Sequence, residues 1–199
     1  MSHLGIMPRG DAVLEVGSFD GYLVARSRAT VKLGIDLEPA PSKEQFAPMV
    51  MADGCCLPFR ESSFDAILLM DVAEHEVKDS ELLCSIVSGL KPGGVLYMSV
   101  PSRDFTAFPP FITNTLHKTW GHVRPGYTPE ELIKLLPVGI QVTIIQWNEP
   151  FFRLLYAPVW ILWRLSPPAA KLALCLAAWL DKGLSKGLRG HLFLIAQYE

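Results

Sequence analysis

The chain is poor in the features that announce several common functions. It has only four cysteines, Cys55, Cys56, Cys84 and Cys175. None forms a CxxC pair and no His/Cys group has zinc spacing, so neither a disulfide framework nor a metal-ligand set is expected. Reduced, mostly buried thiols are expected instead. The opening MSHLGIMPRGD lacks the apolar core of a secretion signal, which points to a cytoplasmic location. Basic residues are not in excess: 18 Lys and Arg face 20 Asp and Glu, for a net charge of −2. That excludes the positive face a nucleic-acid partner would require. No internal repeat and no low-complexity tract occurs. What the chain does have is apolar content, 50% over 199 residues. That is enough to bury a core without staples, and one domain over residues 1–199 is expected.

The organising stretch is Ala12–Leu23, AVLEVGSFDGYL. An apolar run ends in Glu15, breaks at Gly17 and Gly21, and leads into residues that can start a helix. Such a strand–turn–helix junction brings backbone close to a ligand at the carboxyl end of a parallel strand. A helix is expected over Tyr22–Ala29 and strands over Thr30–Asp36, Met49–Asp53 and Phe64–Asp71. A short helix is expected near Ser42–Ala47, and Gly54–Ser63 reads as loop. Helical periodicity covers Ser80–Leu90, Lys91–Gly94 (KPGG) reads as a turn, and Val95–Val100 as a fifth strand. The long Pro-containing stretch Ser102–Tyr127 reads as a functional loop. Thr128-Pro129-Glu130-Glu131 carries the signature of a helix cap. Gly139–Trp147 and His191–Tyr198 read as the last two strands. Strand–helix alternation of this kind argues for an α/β fold built on a parallel sheet with right-handed crossovers.

Four stretches, in order, resemble the class I S-adenosylmethionine-dependent methyltransferases of type 11: EVGSFDG, LGIDLEP, ADGCCLPFRESSFDAILLMDVAEH and LKPGGVLYMSVPS. They cover roughly Asp11–Ser102. One departure is Phe19, where the family motif has its middle glycine. The resemblance implies a Rossmann-like, doubly wound, seven-stranded sheet with six parallel strands and the last antiparallel. It also implies S-adenosyl-L-methionine as cofactor. A nicotinamide dinucleotide fits less well, because its fingerprint wants glycine at Phe19 and Tyr22.

The same resemblance implies roles for single residues. Backbone at Gly17, Ser18, Phe19 and Gly21 would lie against the methionine part of the donor. Glu15 would fix the loop or receive the donor's ammonium. Asp36 suits the ribose hydroxyls and Leu37 flanks the adenine. Asp53 would accept from the adenine amino group, beside Gly54 and Cys55, and Met70 and Asp71 close the pocket. On the acceptor side, His75 and His122 are candidate bases because imidazole titrates near neutrality. Tyr127 is a third candidate. His117 and Arg124 would hold the acceptor, Arg124 as a bidentate fork. For His75 the alternative is a structural role in its loop. For the segment from His117 to Tyr127 the alternative is a set of hydrogen-bonded pins.

An apolar helical insert, about residues 150–189, separates the sixth and seventh strands. Within Phe151–Leu180, Arg153, Arg164 and Lys171 and the pair Pro167-Pro168 interrupt the apolar runs. Neither Leu154–Trp163 nor Leu172–Leu180 reaches the roughly 20 residues of a span. Two short helices bent at Ser166–Pro168 are expected. Tyr156, Trp160, Trp163 and Trp179 suit a headgroup-level position on the inner membrane surface. A lid over the site or the core of a homodimer fits the same residues. Each of these favours a small, lipid-like or amphipathic acceptor.

Overall fold

A computed structural model of the protein describes residues 8, 10–38, 45–103, 119–147, 155, 158, 159, 162, 164–184 and 191–199. Seven strands form one sheet: β1 Ala12–Val16, β2 Val31–Asp36, β3 Met49–Met51, β4 Phe64–Met70, β5 Leu90–Val100, β6 Ile140–Trp147 and β7 His191–Tyr198. Their order is β3-β2-β1-β4-β5-β7-β6. The pairs among β1 to β5 are parallel. Strand β7 runs antiparallel to both β5 and β6, so β6 shares the direction of the first five. The helices are α1 Tyr22–Ala25, α2 Asp79–Gly89, α3 Pro129–Leu135 and α4 Pro167–Leu184.

The central strands are apolar because both faces are covered. Ala66, Ile67, Leu68 and Leu69 of β4 are all 0% exposed. Alternate residues split between two layers. Ile67 and Leu69 pack with Leu82, Leu83 and Ile86 of α2, with Leu132 of α3, and with Leu14 and Val16 of β1. Ala66 and Leu68 face the other way, onto Val13, Val24 and Ala29. From β1 the chain winds outward through β2 and β3, then crosses back to β4 on β1's other side. Strand order therefore reverses between β1 and β4, which is where such sheets open a ligand crevice at their carboxyl ends.

Three local expectations change. Helix α1 is a single turn, ending at Ala25 rather than Ala29, and Ser27 N–H closes on the Val24 carbonyl at 3.0 Å. KPGG is not a turn ahead of the fifth strand but lies within β5, where register shifts between Phe64↔Leu90 and Ala66↔Val95. The turn chemistry is spent on a bulge, with Gly93 at φ +79°. Gly54–Cys56 and Ala73–His75 form single 3-10 turns. The helix expected near Ser42–Ala47 falls largely outside the described residues. The α3 cap is as expected: Thr128 Oγ1 accepts from Glu131 N–H, and Glu131 Oε2 accepts from Thr128 N–H at 2.9 Å.

Helix α4 begins after Ser166 and buries Ala170, Ala177 and Asp181 on one stripe. Leu165, Leu172, Leu176 and Trp179 are exposed. Tyr156, Trp160 and Trp163 lie outside the described residues. Among the described residues no helix is long and apolar enough to cross a membrane. The cysteine expectation is corrected in part: all four thiols are free, but Cys56, Cys84 and Cys175 are exposed rather than buried. Cys84 lies on α2, whose buried face is taken by Leu82, Leu83, Ile86 and Val87, and Cys175 on α4, whose buried stripe is Ala170, Ala177 and Asp181.

Candidate active site

The crevice at the tips of β1, β2 and β3 is lined by Val16, Gly17, Ile35, Asp36, Leu37, Asp53 and Gly54, with Val72 and Leu82 opposite. Asp36 and Asp53, 17 positions apart in the chain, thus line one cleft with largely apolar walls, and Glu76 is a third acid in its lining. Gly17 shapes it. At φ +69° an added Cβ would sit 2.3 Å from Val72 Cγ2, so only glycine leaves this wall open. Its N–H and that of Ser18 both donate to the Ile35 carbonyl, at 2.9 and 3.0 Å, which ties the loop to β2.

Each acid is held by backbone. Asp36 Oδ2 accepts from Phe19 N–H at 2.9 Å, and Oδ1 accepts from Glu38 N–H at 3.3 Å. Asp53 Oδ1 caps the turn that follows it, accepting from Cys55 N–H at 2.8 Å. Phe19 takes a left-handed conformation, φ +55°, and its side chain is 58% exposed. The loop keeps the backbone a glycine would adopt, although a side chain is present.

Other expected donor residues stand behind the cleft rather than in its lining. Glu15 is buried, and its Oε2 accepts from Val24 N–H at 2.8 Å, so it holds the first turn of α1. Burial pushes its carboxyl up to about 7 despite that hydrogen bond. Ser18 turns its hydroxyl to the Ile35 carbonyl at 3.1 Å. Gly21, at φ +77°, is the N-cap of α1. Met70 packs on the smaller apolar cluster behind the sheet. The Cys55 thiol is pushed up to about 12 by burial and by the nearby Glu76 and Asp53 carboxylates.

Beyond β4 lies a second group of polar side chains. Asp71, left-handed at φ +54°, accepts from Ser99 Oγ at 3.1 Å and pairs with His191 Nε2 at 2.7 Å. Burial opposes its charge, but the His191 hydrogen bond and charge outweigh that and hold the carboxyl below its ordinary range. His191 was not singled out from the sequence. It reaches this edge because β7 is antiparallel and starts where the other strands end. Glu74 is buried, and burial together with the Asp71 charge pushes its carboxyl up to about 8. His75 and His122 meet edge to face, centroids 4.6 Å apart.

Arg124 and Tyr127 are both hydrogen-bonded to Asp79 and to the turn that follows β4. Arg124 Nη1 bonds Asp79 Oδ2, and Nη2 donates to the Glu76 and Val77 carbonyls at 2.7 and 3.3 Å. Tyr127 is 2% exposed. Its hydroxyl lies 2.9 Å from the Ala73 carbonyl and 3.0 Å from Asp79 Oδ2, one proton between two acceptors. Burial, then the Asp79 charge, holds the phenol far above its usual range, so it is a poor proton carrier. Both terminal nitrogens of the guanidinium are committed to this network, and Nε is buried. His117 lies outside the described residues. Asp79 was missed from the sequence, where it reads as an ordinary acid in a helix's first turn.

Residues 14–98 match the methyltransferase domain family. Over 108 residues the chain is 32% identical to an uncharacterised methyltransferase of Mycobacterium leprae, covering 50% of this chain and 40% of that one. The chain thus spans less than half the length of that curated relative. Among solved structures it is similar to phosphoethanolamine N-methyltransferase 2 of Haemonchus contortus in complex with S-adenosyl-L-methionine. That likeness has a TM-score of 0.64 and 18% identity, over 98% of this chain and 50% of that one. It is also similar to the [4+2]-cyclase SpnF, with a TM-score of 0.60 and 18% identity, over 96% of this chain and 76% of that one. The matched stretch runs from β1 into β5 and contains the whole cleft, so residues 14–98 are similar to the methyltransferase domain family, on a fold the chain shares with solved methyltransferase structures.

Proposed function

We propose that the protein transfers the methyl group of S-adenosylmethionine to a small lipid-like or amphipathic acceptor, at oxygen or carbon. The observation that carries the donor half is the convergence of Asp36 and Asp53 on one cleft whose floor, at Gly17, leaves no space for a Cβ. The residues fit the cofactor. Asp36 would hold the ribose hydroxyls while its other contacts fix the loop. Asp53 has Oδ2 available for the adenine amino group once Oδ1 has capped its turn. Leu37 and Leu82 supply apolar walls for a flat ring. The bound cofactor supplies an activated methyl on a cationic sulfur. The chain's own work is then to align the acceptor and keep water out.

The acceptor half rests on the insert. Strand β6 ends at Trp147, paired with His191, and His191 touches Asp71. The insert therefore leaves and returns at the reaction edge. Its helix α4 presents Leu172, Leu176 and Trp179 outward with Lys171 exposed beside them, and Arg164 and Leu165 just before the helix are exposed as well. That pattern suits an anionic membrane surface, from which a lipid-like acceptor would enter. Phe19, standing where the motif has its middle glycine, keeps one other reading in play, a protein of this fold that binds the donor without transferring methyl.

Calorimetric titration with S-adenosylmethionine tests the donor site. Asp53→Ala should weaken binding by about 1–3 kcal/mol, the cost of an unmade polar contact. Unchanged affinity would refute the placement, and binding without turnover on lipid extracts would favour the second reading. For the insert, the protein should float with anionic vesicles and lose this on Leu172→Glu plus Trp179→Glu. A wild-type chain that ignores vesicles but dimerises through these residues would replace the membrane by a second subunit.

A further inference from the structure

Glu74, His75 and His122 have no part in donor binding, yet the fold gathers them. Glu74 and His75 lie in the 3-10 turn after β4, and His122 comes from the loop before α3. Val123 N–H donates to the Glu74 carbonyl at 3.0 Å and fastens that loop to the turn. One carboxylate oxygen of Glu74 and one ring nitrogen from each histidine lie within 4.8 Å of one another. The two rings stand at 84° with centroids 4.6 Å apart.

A second observation points to a ligand. Glu74 is 1% exposed, and its Oε2 is buried without a hydrogen-bond partner among the described residues. Buried polar atoms are nearly always satisfied, and an orphaned carboxylate oxygen is among the costlier exceptions. A cation would satisfy it. The neighbouring cation Arg124 is committed to Asp79 and to backbone carbonyls, while Asp71 adds a carboxylate close by.

We propose that Glu74, His75 and His122 bind one divalent transition-metal ion of the zinc class, through one carboxylate oxygen and two imidazole nitrogens. The donor set is the mixed N/O kind such borderline ions take. Tetrahedral ligation places ligand atoms about 3.3 Å apart. The cluster must therefore close by about 1.5 Å at most from its 4.8 Å limit. His75 is exposed, so a change of rotamer can supply that closure. Three protein ligands leave a position open, as in catalytic rather than structural sites. Facing the acceptor edge, that position would take an oxygen of the acceptor. This last role rests on the methyl-transfer reading; the binding of the ion does not.

The test uses chelator-stripped full-length protein, titrated with Zn²⁺ by calorimetry and with Co²⁺ by visible absorption, with no donor present. The wild type should bind one equivalent, and Co²⁺ should show the intense bands of a low-coordinate site. His75→Ala plus His122→Ala should weaken binding by about 100-fold, as loss of two of three ligands requires. Glu74→Gln, which keeps shape and removes charge, should weaken it by about 10-fold. S-adenosylmethionine affinity, measured separately without metal, should stay the same in all variants, which also shows that they are folded. No binding to the wild type below about 100 µM, or equal affinity in the double variant, overturns the site. Loss of donor binding in the wild type would overturn the methyltransferase reading and leave the metal site standing.

Discussion

Replacing Phe19 by glycine should stabilise the protein. Phe19 occupies the position of a family glycine and keeps that glycine's left-handed backbone, at φ +55°. For an L-residue with a Cβ this costs about 1–2 kcal/mol. Glycine avoids that cost but adds about 0.5–1 kcal/mol of unfolded-state entropy. The ring is 58% exposed, so little packing is lost. The hydrogen bond from residue 19 N–H to Asp36 Oδ2 is made by backbone and survives. The balance is a gain of about 0.5–1 kcal/mol. Phe19→Ala, which keeps the Cβ and removes the ring, should leave stability nearly unchanged. Urea unfolding of the three proteins reads both numbers from their midpoints. In calorimetry the glycine variant should bind S-adenosylmethionine at least as tightly as the wild type, because the loop is already in the required conformation. If both substitutions destabilise by similar amounts, the ring anchors the loop and the strain argument is wrong.

Two further outcomes follow from the buried charges. Glu15 titrates near 7 in the fold against 4.5 in the open chain. A raised carboxyl means the folded state holds the proton longer. Its contribution is complete below pH 4.5 and is lost as pH rises through about 7, a change of about 3 kcal/mol. Glu15→Gln keeps an oxygen for Val24 N–H and removes the titration. Its urea stability should be flatter between pH 5 and 8 than the wild type's and exceed it at pH 8 by about 1–3 kcal/mol; parallel profiles would contradict the burial argument. Arg124→Ala strands Asp79 and two carbonyls, and should cost about 3 kcal/mol of stability with donor affinity unchanged. An Arg124→Ala protein of normal thermal stability but raised acceptor KM would return Arg124 to the substrate.

Much of the cleft at the tips of β1 to β3 was legible in the sequence, because its signals are local. An apolar run ending in Glu15, glycines at 17 and 21, and acids closing two short strands each belong to a few consecutive residues. The partners of Arg124 and Tyr127 were not legible that way. Their partner Asp79 lies 45 and 48 positions away, and whether a guanidinium grips a ligand or a neighbour depends on what packing brings beside it. KPGG shows the limit of a local signal from the other side: a good turn sequence became a bulge because β4 offered it a strand to pair with.

The sequence by itself determined the order of strands, the acids at the tips of β2 and β3, and the capped start of α3, since hydrophobic periodicity and turn chemistry act over a few residues. Only the tertiary structure decided that His191 meets Asp71 across 120 positions, that His122 reaches Glu74 and His75, and that Glu15 serves the helix behind the cleft. These pairings are set by crossovers and by the reversed direction of β7, which bring distant segments to one edge and leave no periodic trace in the residues that meet there.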